Sequence, residues 1–120
     1  MKKKTLVIGA STNPSRYSYK AIQKLIVYGH IVLAIGNKEG EVSGVKFSTE
    51  KIKFDDIDTV TLYLNENNQK SFYDYILELK PKRVLFNPGT ENEELQNLLT
   101  KNNIAFEEAC TLVLLGIGKY

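Results

Sequence analysis

Leu6-Val7-Ile8-Gly9-Ala10-Ser11-Thr12-Asn13-Pro14-Ser15-Arg16-Tyr17 is an apolar run that breaks into a turn of small residues and then meets a cation. An apolar strand, a small-residue turn and an amphipathic segment in that order predict a β-turn-α unit, with Ile22, Leu25 and Ile26 on one face of the helix. Gly9 and Ala10 carry almost no side chain, so a ligand's phosphates can approach backbone N–H groups where the helix macrodipole favours negative charge. The unit therefore predicts a nucleotide-type ligand.

Outward from this unit, Ile31–Ile35, Thr59–Leu64, Arg83–Phe86 and Ile104–Glu107 read, like Thr5–Gly9, as short apolar or β-branched strands. A further extended piece is expected at Val45–Phe47. Between them, Phe72, Tyr73, Ile76 and Leu77, and then Leu95, Leu98 and Leu99, recur at helical spacing. Gly29 is placed to stop the first helix, Pro81 follows the second, and Thr90-Glu91-Asn92-Glu93 has the form of a capping box opening the third. Strands and helices alternating through short connections predict an α/β fold: Rossmann-like and doubly wound, a mainly parallel sheet of five to six strands with helices on both faces. Ligands of such sheets bind at the carboxyl ends of the strands, near the point where strand order reverses. Function is thus expected in Gly9–Tyr17, Gly36–Gly44, Asn65–Asn68, Asn87–Glu91 and the turn Ala109-Cys110-Thr111.

The 120 residues show no repeat, low-complexity segment or linker, so a single domain over residues 1–120 is expected. Hydrophobic residues at 42% and charged residues at 25% are ordinary for a globular protein, and no apolar run approaches the roughly 20 residues of a membrane span. A net charge of +2, with Lys and Arg scattered among 14 acidic residues, predicts neither a nucleic-acid nor a membrane partner. Met1 to Lys4 is basic, yet Leu6 to Ala10 is too short an apolar core for a secretion signal. Cys110 is the lone cysteine and cannot close an internal disulfide, so a cytoplasmic protein is expected. Aromatics expected to be exposed, such as Tyr63, Tyr73 and Tyr75, make a homodimer possible.

The first loop lacks the dinucleotide pattern Gly-x-Gly-x-x-Gly, since Ala10, Ser11 and Pro14 stand where further glycines are needed. The second strand ends in Ile35-Gly36-Asn37-Lys38, with a cation where a ribose-gripping carboxylate is usual. Lys38 suits a phosphorylated ribose, although in a loop with Glu39 and Glu41 it reads on its own more readily as structural. Arg16 and Lys20 stand at the helix start, where the dipole disfavours them, so either an anionic partner accounts for them or Arg16 is a solvated surface arginine. Asn87-Pro88-Gly89-Thr90 is either a simple turn or a backbone lining for a ligand tail. His30 precedes the second strand and so lies at the amino edge, roughly 15 Å from any ligand, which argues against catalysis. Cys110 reads more readily as packing than as a reactive thiol. One His and one Cys far apart have no metal-ligand spacing, and a Ser-His-Asp set lacks a histidine.

The loop Gly9-Ala10-Ser11-Thr12-Asn13-Pro14-Ser15-Arg16-Tyr17, then Phe86-Asn87-Pro88-Gly89-Thr90-Glu91 and Cys110, resembles the small stand-alone CoA-binding proteins. These are similar to the amino-terminal CoA-binding domain of the succinyl-CoA ligase α subunit. The resemblance runs from about Thr5 to Leu115 and implies coenzyme A as ligand, with the Ser11 loop near the pyrophosphate and Arg16 assisting. It implies further that Gly36, Asn37 and Lys38 surround the adenosine, with Lys38 on the 3′-phosphate. Asn87, Pro88 and Gly89 would follow the pantetheine, with Cys110 towards the carboxyl edge. Gly9, Ala10, Asn13, Pro14, Tyr17 and Asn65 complete the expected ligand-binding set, and no catalytic residue is expected. The family commonly has Val-Asn-Pro where this chain has Ile35-Gly36-Asn37, and prolines where it has Asn65-Glu66-Asn67. A CoA or acyl-CoA module without its own catalysis is thus expected. The alternatives are a small enzyme or subunit acting on acyl-CoA, and an NAD(P)-binding regulator or oxidoreductase.

Overall fold

The computed structural model describes residues 2–120. In chain order the elements are β1 (Thr5–Ala10), α1 (Tyr17–Val27), β2 (Val32–Gly36), β3 (Gly40–Val42), β4 (Val45–Phe47), β5 (Thr59–Leu62) and α2 (Glu66–Gln69). After a single 3₁₀ turn at Lys70–Phe72 come α3 (Tyr73–Leu79), β6 (Arg83–Phe86), α4 (Glu93–Lys101), β7 (Ala105–Glu108) and α5 (Thr111–Gly116). Strands β2, β1, β5, β6 and β7 lie side by side in that order, and every neighbouring pair is parallel. The expected α/β Rossmann-like sheet is therefore present, with five strands. The sixth candidate, Val45–Phe47, instead pairs antiparallel with β3 in a separate hairpin. Its two-residue loop, Ser43-Gly44, has positive φ at both positions, the geometry that matches strand twist. A bridge from Ile35 to Ser48 fastens the hairpin beside β2.

Alternation along β1 divides the core. Leu6 and Ile8 face Ile76 and Leu79 of α3 and Leu95 and Leu99 of α4, while Val7 and Ala10 face Ile22 and Leu25 of α1, Leu115 of α5 and the hairpin. Burying Ile22 and Leu25 completely contributes about 1.5–3 kcal/mol each. The inner face of α1 is Ser18, Ala21, Ile22 and Leu25; Ile26 lies beside this stripe and is exposed, contrary to expectation.

Local punctuation works mostly as read. Gly29, at φ +83, follows the α1 C-cap; its N–H reaches the Ile26 carbonyl and that of His30 reaches Leu25, closing a Schellman motif. Lys80 ends α3 in a left-handed conformation just before Pro81. The capping box at Thr90 does not form. Asn92 caps α4 by accepting from Leu95 N–H at 3.2 Å, and the Thr90 hydroxyl turns back to the Asn87 carbonyl at 2.8 Å. No helix among the described residues is long and apolar enough to cross a membrane.

Candidate functional site

From β1 the chain crosses to β2 on one side and later returns past β1 to place β5 on the other, so strand order reverses between β1 and β5. A cleft of about 900 Å³ opens there, at the carboxyl ends of the strands and within the range usual for ligand sites. Gly9 shapes its floor. The β1–β2 register shifts between Ile8 and Ala10, and Gly9 has φ +101, a conformation that L side chains rarely adopt.

One wall is the loop into α1. Asn13 Oδ1 accepts from Ser15 N–H at 3.0 Å and from the Ser15 hydroxyl at 2.8 Å, while Asn13 N–H donates to Ser11 Oγ at 3.1 Å. These bonds present Ser11, Ser15, Arg16 and Tyr17 to the cleft. Arg16 is the N-cap of α1 yet makes no side-chain cap bond, and no acidic residue stands in the first turn. The first turn of α1 thus borders the cleft at Tyr17 and Ser18, with no side-chain carboxylate of its own to meet its N–H groups. Arg16 is the one charged residue among the described residues that line the cleft.

The β2 end contributes Ile35, Gly36 and Asn37. A Cβ on Gly36 would lie 2.6 Å from the Ala10 carbonyl oxygen and against the Phe47 ring, so the hairpin packs tightly beneath this rim. The opposite wall comes from Tyr63, Leu64, Asn65, Asn68 and Phe72. Asn65 caps α2 by accepting from Asn68 N–H at 3.0 Å. Beside it, Pro88, Gly89 and Thr90 form a turn closed by Thr90 N–H on the Asn87 carbonyl at 2.9 Å. Gly89 has φ +90 with open space where a Cβ would stand, and its N–H is held by the Glu91 carboxylate at 3.0 Å.

Of the residues singled out from sequence, Gly9, Ala10, Ser11, Arg16, Tyr17, Gly36, Asn37, Asn65, Pro88 and Gly89 line this one cleft. Asn13, Pro14, Lys38, Asn87 and Cys110 are not among its lining. Asn13 shapes the loop, and Pro14 and Lys38 are exposed. Asn87 is buried: its amide donates to Thr61 Oγ1 at 2.7 Å and to the Leu62 carbonyl at 2.9 Å, and its oxygen accepts from Thr111 N–H at 2.8 Å. Its side chain is spent on the protein and clasps β5, β6 and α5 together. Cys110 is a free, half-buried thiol at the N-cap of α5.

Ser15, Asn68 and Thr90 also line the cleft and lie inside the expected loops without having been singled out, whereas Ser18, Ile35, Tyr63, Leu64 and Phe72 fall outside those loops and were missed. Several of the latter sit within two residues of those loops, so a wider margin around each strand end would have found them. The aromatics expected on the surface are instead engaged. Tyr73 donates to Glu94 Oε1, Tyr75 donates to the Ile52 carbonyl, and the Tyr63 hydroxyl is buried without a hydrogen-bond partner among the described residues. Burial pushes the Tyr63 hydroxyl pKa up to about 12, only partly offset by the Thr111 and Thr61 hydroxyls, which bond each other at 2.8 Å.

His30 lies at the amino edge, where its Nδ1 accepts from Lys3 N–H at 2.9 Å and its ring meets Tyr120 edge-on at 4.9 Å. It borders a second hollow of about 530 Å³, away from the carboxyl-edge cleft. No group of three or more His, Cys, Asp or Glu among the described residues is arranged to hold a metal ion.

Residues 3–116 match the family described as the CoA binding domain. No curated protein matches the sequence significantly. A solved structure titled only as that of an uncharacterized protein is 49% identical, with a TM-score of 0.97 over 100% of this chain and 99% of the other. A hypothetical protein from Pyrococcus horikoshii OT3 is 22% identical, with a TM-score of 0.79 over 92% of this chain and 79% of its own. The dinucleotide-forming acetyl-coenzyme A synthetase 1 of Ca. Korarchaeum cryptofilum is 18% identical, with a TM-score of 0.71 over 90% of this chain but 26% of the larger enzyme. At these last two identities the likeness is one of fold.

Proposed function

Because the chain belongs to the CoA binding domain family, we propose that it binds coenzyme A or an acyl-CoA in the carboxyl-edge cleft and holds it without itself transforming it. The observation that carries this is the juxtaposition of Arg16 with the uncapped start of α1 at the switch point of the sheet. A pyrophosphate there meets backbone N–H donors, the positive end of the helix and a guanidinium, while Gly9 and Ala10 keep the approach clear.

From that anchor, the nucleoside runs towards the β2 rim, the usual side for it in this class of sheet, with Gly36 and Asn37 beneath it. Lys38, exposed just beyond that rim, is the cation for the 3′-phosphate. The pantetheine then runs the other way, between Leu64 and Phe72 on one side and Pro88 and Gly89 on the other. Coenzyme A supplies the thiol on which an acyl group is carried. A lone, unpaired cysteine at Cys110 suits a reducing cytoplasm, in which such a thiol stays free.

Isothermal titration of the protein with CoA, dephospho-CoA and NADP in one buffer tests this. Micromolar binding of CoA with clearly weaker dephospho-CoA supports it. No heat and no thermal shift with CoA overturns it.

A further inference from the structure

Gln69 is wholly buried at the end of α2, yet a buried glutamine amide is costly unless every polar atom finds a partner. Here each does. Its Nε2 donates to the Leu64 carbonyl at 2.9 Å and to the Thr90 carbonyl at 2.7 Å, and its Oε1 accepts from Asn92 Nδ2 at 3.0 Å. Asn92 Nδ2 donates also to the Tyr73 hydroxyl at 2.8 Å, which in turn donates a hydrogen bond to Glu94 Oε1 at 3.0 Å. Leu64 and Thr90 belong to the neighbouring loops after β5 and after β6, which lie side by side in the lining of the cleft. One side-chain amide therefore ties the backbones of both loops together.

We propose that Gln69 is a positioning residue that fixes the spacing of the Leu64 and Thr90 loops in the cleft lining, and so governs binding of the pantetheine arm of CoA but not of its nucleotide. This rests on the proposed CoA site and deepens it. Two loop carbonyls point at the amide with like partial charges; without a shared donor they separate or draw in water, and the slot between Leu64 and Pro88 loosens. The α1 start and the β2 rim, the proposed seat of the nucleotide end, share no hydrogen bond with this strap.

The test compares CoA with adenosine 3′,5′-bisphosphate, the fragment that lacks the phosphopantetheine, by titration calorimetry on wild type, Gln69→Met and Asn92→Asp. Met keeps length and burial but no donor. Asp at 92 keeps the acceptor that caps α4 but loses the amide that donates to both Gln69 Oε1 and the Tyr73 hydroxyl. The expected result is CoA binding weakened about tenfold in Gln69→Met and by a smaller factor in Asn92→Asp, with the bisphosphate unchanged in both. Should Gln69→Met lose its cooperative melt, the Asn92→Asp ratio decides alone. Equal weakening of both ligands, or no change in either, overturns the positioning role. A wild type that binds neither overturns the CoA site itself, and this role with it.

Discussion

The Cα of Gly9 lies so close to Tyr63 that a Cβ on it would stand 2.8 Å from the Tyr63 carbonyl oxygen, nearer than real Cβ contacts come. The approach is what lets β5 continue beside β1 past the end of the ladder, with Tyr63 N–H donating to the Ile8 carbonyl at 2.8 Å. Gly9→Ala meets both this clash and a φ of +101, so it should lower folding stability by about 2–4 kcal/mol, read by urea denaturation. A variant as stable as wild type would mean that the two strand ends can separate freely.

Arg16 is exposed and makes no cap bond, so the fold does not depend on it. Arg16→Ala should leave the melting temperature unchanged and weaken CoA by about 1–3 kcal/mol, roughly five- to 150-fold. Lys38→Ala should weaken CoA while leaving dephospho-CoA as it was. Unaltered affinities in both variants would remove these cations from the site.

Asn87 behaves oppositely, because its side chain serves the fold. Asn87→Ala strands Thr111 N–H and the Leu62 carbonyl in the interior and should cost about 2–4 kcal/mol in chemical denaturation. A loss well under 1 kcal/mol would show that water replaces the clasp.

Tyr63→Phe removes a buried hydroxyl that has no partner among the described residues, while keeping the ring against the α1 face of the core. Stability should rise by about 1 kcal/mol, seen as a higher melting temperature. A fall would mean that the hydroxyl does find a partner in solution.

Stability should also decline in mild acid through His30. Burial, and then the positive field of Lys2 and Lys3, lower its pKa below 6.5, so the unfolded chain binds the proton more readily than the folded one. The neutral imidazole's contribution is complete above the ordinary value of 6.5 and is lost as pH falls through it towards the lower folded value. Melting temperature followed from pH 8 to 5 should drop less steeply in His30→Asn, which keeps an acceptor for Lys3 N–H. Parallel curves would place the acid sensitivity elsewhere.

The elements with one-dimensional signals were legible before any coordinates. Short apolar or β-branched runs located the strands to within two residues, apolar residues at helical spacing marked α1, α3 and α4, and Gly29 and Pro81 stop the chain where expected. Helix α5 was not, because Thr111–Gly116 is a short run with Leu112 through Leu115 all apolar, which carries no period to distinguish helix from strand. Strand β3 is three residues with a glycine and a glutamate, too little to register. The binding loops were found in outline because a parallel sheet places all its strand ends on one edge.

The sequence by itself determined the α/β alternation, the small-residue turn at Gly9 and the cation that follows it, since each depends on neighbours within a few positions. Only the tertiary structure decided that Val45–Phe47 leaves the main sheet, that Asn87 turns inward to residues 24 and 26 positions away, and that Gln69 spans Leu64 and Thr90. Those outcomes depend on which strands become neighbours. A polar side chain declares itself clasp or ligand only when its partners arrive from distant segments, and no local periodicity records that meeting.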